Sequence, residues 1–138
     1  MKTSFDTDGM LFGILNDARN NGGLSITGGV YTGDTRPADS TDEDVVVNSI
    51  DLEQDALPQI GTSNVNIYSS DIDINVKGKM MLMANRSRLD VLTNEVLAII
   101  RNARFDGCKA TPANIVVLAV TNVKQHYVNI RVNWNIAK

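Results

Sequence analysis

The sequence predicts an α+β fold, a mainly antiparallel β-sheet packed with two helices and carrying a long extended loop, and three stretches predict it. Residues 125–136 set Val128, Ile130, Val132, Trp134 and Ile136 against Asn129, Arg131, Asn133 and Asn135, the period-two pattern of an antiparallel strand with one polar face. After Asn85, Leu89, Leu92, Val96, Ile99 and Ile100 recur on or near one face of a helix. Between Tyr31 and Tyr68 an acidic polar loop separates a short strand from two strands with alternating apolar residues. Helix, strands, long helix and strand pair, in that order, give helices on one side of a sheet.

In chain order, Met10, Leu11, Ile14, Leu15 and Ala18 recur at helical spacing behind N-cap candidates Asp6, Thr7 and Asp8, and residues 20–23, Asn-Asn-Gly-Gly, end that helix. Gly28 and Gly29 leave room for only a brief strand over 29–32. The β-branched run at 44–52 is a strand with Val45, Val47 and Ser49 on one face and Val46, Asn48 and Ile50 on the other. Pro58 and Gly61 mark residues 54–63 as a connection, after which Val65 and Ile67 alternate with Asn64, Asn66 and Tyr68 as a half-buried strand. Residues 71–83 alternate and then run through Gly78 into Met80, Met81 and Met83, which reads as irregular extension; the methionines suit an adaptable interface as well as a core, with core filling expected for at least one. The second helix takes Ser87 as its N-cap, with Asp90 at the third helical position and Arg101 and Arg104 in its last turn. Strands at 115–121 and 125–136 close the chain, and Asn122, Asn129, Asn133 and Asn135 form an uncharged polar ladder on them.

The 138 residues form a single expected domain, long enough to bury about two-thirds of the surface of the unfolded chain. A net charge of −3 gives no general attraction to nucleic acid and argues against a DNA-binding domain. No apolar run approaches the length of a transmembrane helix, and residues 1–8 lack the basic and apolar regions of a signal peptide, so a soluble protein made in a cytoplasm and without membrane partners is expected. Cys108 alone forms no internal disulfide, and one cysteine with one histidine supplies no zinc spacing.

No catalytic constellation is expected. His126 precedes an apolar register and has no nucleophile tied to it, so a partly buried structural histidine outweighs a general base. Asp39, Asp42, Glu43 and Asp44 lack the glycine and terminal glutamate of a calcium loop, so a solvated loop, or one docking on a basic surface, outweighs a metal site. Asp71 and Asp73 fall on one side of a strand, and with His126 they define the enzyme alternative, a small cytoplasmic metal-dependent enzyme such as a hydrolase. The glycine pairs match neither phosphate-binding pattern, and no cofactor is expected.

The N-terminal helix, the Arg36-Pro37 step in the central loop, the strands DVVVNSIDL and NVNIY, the single amphipathic helix and the closing strand pair resemble the small tail-completion proteins of tailed bacteriophages and prophages. The likeness is to the tail-terminator and head-tail joining types and runs over about residues 11–136. It implies a non-enzymatic virion protein that assembles into a ring, commonly a hexamer, at the end of a tail tube or at the head-tail junction. Its partners would be further copies of itself and the tail-tube or connector proteins. The long acidic loop departs from the familiar pattern, so no contact residues carry over. From the residues themselves, Lys77, Lys79, Arg86 and Arg88 form a basic segment that, in a ring, meets Arg36, Asp39, Asp42, Glu43 and Asp44 of the next subunit. The same cations would otherwise line a channel for sequence-independent passage of DNA. The third reading is a monomeric adaptor that binds through the acidic loop.

Overall fold

A computed structural model of the chain describes residues 1–138 and has the expected α+β architecture. In chain order the elements are α1 (Ser4–Asn20), β1 (Val30–Thr32), β2 (Val45–Leu52), β3 (Gln59–Ser70), β4 (Ile72–Val76), β5 (Lys79–Met83), α2 (Arg86–Asn102), β6 (Cys108–Ala119) and β7 (Gln125–Ile136). Five strands form one sheet in the order β1-β2-β3-β7-β6, with β1 and β2 parallel and every other pair antiparallel. β4 and β5 form a separate two-stranded sheet. Neither helix is long and apolar enough to cross a membrane.

Alternation in β3 and β7 decides which face the helices cover. Val65 and Ile67 stand beside Ile130 and Val128 in register, and with Val45, Val47, Val132, Trp134 and Ile136 they build the sheet side of a 19-residue buried cluster. Leu11 and Leu15 of α1 and Leu89, Leu92, Val96, Leu97 and Ile100 of α2 supply the other side. Leu97 enters that core ahead of Ile99, which is only half-buried. Polar atoms inside the layer are linked in a chain: the Trp134 indole N–H donates to Ser63 Oγ at 2.9 Å, Ser63 meets Ser49 at 2.8 Å, and Ser49 meets Thr7 at 2.6 Å. This relay joins β7, β3, β2 and α1 and leaves none of its groups unpaired in the core.

Both helices begin earlier than expected. Thr3 caps α1 because its backbone N–H donates to the Asp6 carboxylate at 2.8 Å, which holds the Asp6 carboxyl below its usual range. Asn85, rather than Ser87, caps α2, its side chain accepting the Arg88 N–H at 3.3 Å.

Four further expectations are corrected. Residues 59–63 are strand, not connection: Gly61 lies opposite Trp134 and Leu52, and a Cβ there would lie 2.5 Å from the Asp51 carbonyl, so this glycine permits a close approach beside the β2 bulge. Strand β6 starts at Cys108, because Pro112 falls at a register shift on an edge strand, where a missing N–H costs little. Residues 71–83 contain a regular hairpin, turned by Lys77 and Gly78 at φ 52° and 84°. Asn122 lies in the β6-β7 turn with φ 66°, so it leaves the asparagine ladder, whose direct cross-strand contact is Asn129 to Asn66 at 2.7 Å.

Candidate subunit interface

The loop at 33–44 is held down from inside its own chain. Asp44 precedes the inward-facing Val45, and its carboxylate is fully buried. It accepts the Gly29 N–H at 2.9 Å, the Arg36 Nε–H at 2.8 Å and the Ser40 hydroxyl. Gly28 is tightly confined here, since a Cβ would collide with the Asp44 carboxylate. Arg36 also donates to Gln125 Oε1 at 3.2 Å and lies 4.0 Å from the centre of the Tyr68 ring, which in turn stacks on Tyr127. The loop therefore closes over the end of the sheet where β3 finishes and β7 begins. Desolvation there pushes the Tyr68 phenol above its ordinary value, against the pull of Arg36.

Glu43 faces the other way, toward α2. Arg88 donates to it through Nε at 2.6 Å and through Nη2 at 2.9 Å, and donates also to the Ser25 carbonyl at 2.6 Å. The bidentate fork raises the Arg88 pKa, chiefly through the Glu43 hydrogen bond. The helix N-terminus is thus fastened to the segment between α1 and β1 and to the acidic loop.

Of the residues expected at a subunit contact, Arg36, Glu43, Asp44 and Arg88 are joined within one chain as two ion pairs. Asp39, Asp42, Lys77, Lys79 and Arg86 are exposed and take part in no ion pair. Lys77 and Lys79 stand at the tip of the β4-β5 hairpin, and Arg86 opens α2 just past its base.

Apolar surface that charge arithmetic overlooked is concentrated at two places. Met80, Met81, Leu82 and Met83 of the hairpin are 42% to 64% exposed, so the methionine expected in the core is not there. The hairpin carries these side chains away from the cluster. Ile72, Ile74, Val76, Met81 and Met83 share one of its faces, with Lys79 beside Val76 at the tip end. The second place is the edge strand β6, where Ile115, Val116, Val117 and Leu118 are 40% to 48% exposed and no strand lies beyond them. Between this strand and residues 86–97 of α2 runs a groove of about 520 Å³, with Leu89, Leu97, Ile115, Val117 and Val128 on its apolar side and Arg86, Ser87, Asp90, Thr93 and Asn94 along its helix wall. Strict sequence alternation at 72–76 and the unbroken apolar run at 115–120 were the available signals for both surfaces.

The residues of the enzyme alternative are only partly gathered. His126 Nδ1 lies 2.6 Å from Asp71 Oδ1 at the root of the hairpin. Asp71 sits between β3 and β4, so it does not share a strand with Asp73, and no group of three or more histidine, cysteine or acidic side chains is arranged to hold a metal. Cys108 is a free thiol at the start of β6. No protein-family model matches this sequence, and no curated protein matches it.

Proposed function

We propose that this chain is a structural subunit whose role is to assemble with further copies into a closed ring, and that the ring terminates a phage or prophage tail tube or joins tail to head. The observation that carries the reading is the unpartnered β4-β5 hairpin, an apolar arm with no place in the core of its own chain. Two-stranded hairpins are marginal alone in water, so an arm of this composition points to burial against another surface. The apolar stretch 115–119 of the β6 edge supports the same reading, because edges normally receive a partner strand or are blunted with charge or proline, and past the bulge at Pro112 this stretch carries neither. The polar outer face of β7, with Asn129, Arg131, Asn133 and Asn135, is the surface on which a tube or connector protein would sit. Of the four cations of the basic segment, Lys77, Lys79 and Arg86 are free to face phosphates in a ring through which DNA passes, since Arg88 is engaged by Glu43.

Solution mass by light scattering behind a sizing column, from micromolar to high concentration and at low and high salt, tests the reading. A discrete multiple of 15.0 kDa that persists in high salt is expected, because the surfaces available for assembly are mainly apolar. A monomer under every condition overturns self-assembly.

A further inference from the structure

Two apolar surfaces on this chain lack a covering, and they are complementary in form. The hairpin offers two short strands, β4 (Ile72–Val76) and β5 (Lys79–Met83), each paired to the other and to nothing else. The edge strand β6 offers an open hydrogen-bonding side, and beside its exposed stretch 115–119 runs the groove against α2, apolar toward the sheet and polar along the helix. A strand added to this edge gains main-chain hydrogen bonds, while alternate side chains enter the groove.

We propose that the hairpin of one copy docks on the β6 edge of the next, extends its sheet beyond β6, and lays the face bearing Ile72, Ile74, Val76, Met81 and Met83, with Lys79 at its tip end, against the α2-β6 groove. This rests on the self-assembly reading and names the surfaces that carry it. A second copy is the occupant favoured by length, charge and exposed apolar surface. Each hairpin strand has five residues, matching the exposed stretch 115–119. Of the charges on the hairpin strands, Lys79 shares the docking face and Asp73 lies on the opposite one, so Lys79 is the cation brought to the groove wall, which carries Asp90 one turn beyond Arg86 on α2. On the two faces that would meet, Ile72, Val76, Met81 and Met83 of the arm and Ile115 and Val117 of the edge are 38% to 50% exposed, so apolar surface is open on both sides of the joint. Because the arm and its receiving edge are different surfaces of the same chain, the contact is heterologous: every subunit gives one arm and receives another, and the series ends only by closing into a ring. The methionines suit such a joint, since unbranched side chains adapt to an imperfectly matched groove.

Two substitutions separate the halves of the contact. Met81→Asp disables the arm and Val117→Asp disables the receiving edge; both residues are exposed in the monomer, so circular dichroism and melting temperature should stay close to those of the unsubstituted chain. Each variant alone is expected to weaken assembly about 30-fold or more. Mixed in equal amounts they retain one working arm and one working edge, and the expected product is a heterodimer of about 30 kDa, twice the 15.0 kDa chain, and nothing larger. A Met80→Cys and Val116→Cys pair in a Cys108→Ser background should give disulfide-linked ladders under oxidation. If the unsubstituted chain assembles and both aspartate variants assemble equally well, the docking proposal is overturned while the ring reading stands. If the unsubstituted chain is monomeric throughout, both are overturned.

Discussion

Replacing Arg36 with methionine removes the counter-charge of a fully buried carboxylate while keeping an apolar stem near Tyr68. Asp44 would keep the Gly29 N–H at 2.9 Å and the Ser40 hydroxyl. Breaking a buried ion pair from one side typically costs about 3–5 kcal/mol, and the two surviving hydrogen bonds place Arg36→Met near the lower end, about 3 kcal/mol. For a chain of this size that lowers the melting temperature by about 10 °C. Urea and thermal unfolding at pH 7 followed by circular dichroism measure the loss. Arg36→Met combined with Asp44→Asn removes the orphaned charge as well, and should recover at least about 1 kcal/mol relative to Arg36→Met alone. A loss below about 1 kcal/mol with no recovery in the double variant would refute the view that this pair pins the acidic loop to the sheet.

Ser63→Ala takes the acceptor away from the Trp134 indole and interrupts the hydroxyl relay to Thr7, so a loss of about 1–3 kcal/mol is expected, together with a changed emission from the single tryptophan. Arg88→Met frees Glu43 and the Ser25 carbonyl at a partly exposed site; the expected loss is about 1 kcal/mol, shrinking in high salt, and equal losses at low and high salt would contradict an electrostatic origin. The Tyr68 phenol is raised above 10.0 in the folded chain, so its neutral form is favoured by folding: that contribution is complete below the unfolded value and is lost as pH rises through the folded one. Stability measured from pH 8 to 11 should therefore fall more steeply in the unsubstituted chain than in Tyr68→Phe, and parallel profiles would count against a desolvated phenol.

The strictly alternating strand at 125–136 and the amphipathic second helix were legible because a period of two or of 3.6 records which face is buried. Boundaries were less legible. Gly61 and Pro112 are ordinary breakers by residue type, yet one marks a close backbone approach and the other an edge-strand bulge, and only neighbouring strands make that difference. The same limit applied to the candidate interface. Residue types identified Arg36, Asp39, Asp42, Glu43 and Asp44 as an acidic loop with one arginine, and Lys77, Lys79, Arg86 and Arg88 as a basic segment. Side-chain reach then decided that Arg36 closes on Asp44 and Arg88 on Glu43, which uses four of those charges internally. The methionines carried the opposite lesson: their residue type fitted either a core or an adaptable interface, and the hairpin, leaving the sheet at Asp71, takes all three out of the core.

By itself the sequence determined the fold class, because local periodicity already states how many elements must share a core and which sides of them face it. The tertiary structure alone decided which charges are spent inside the chain and which apolar surfaces remain open. Both depend on contacts between residues distant in sequence, such as Arg88 with Glu43, and no local pattern encodes the distance between them.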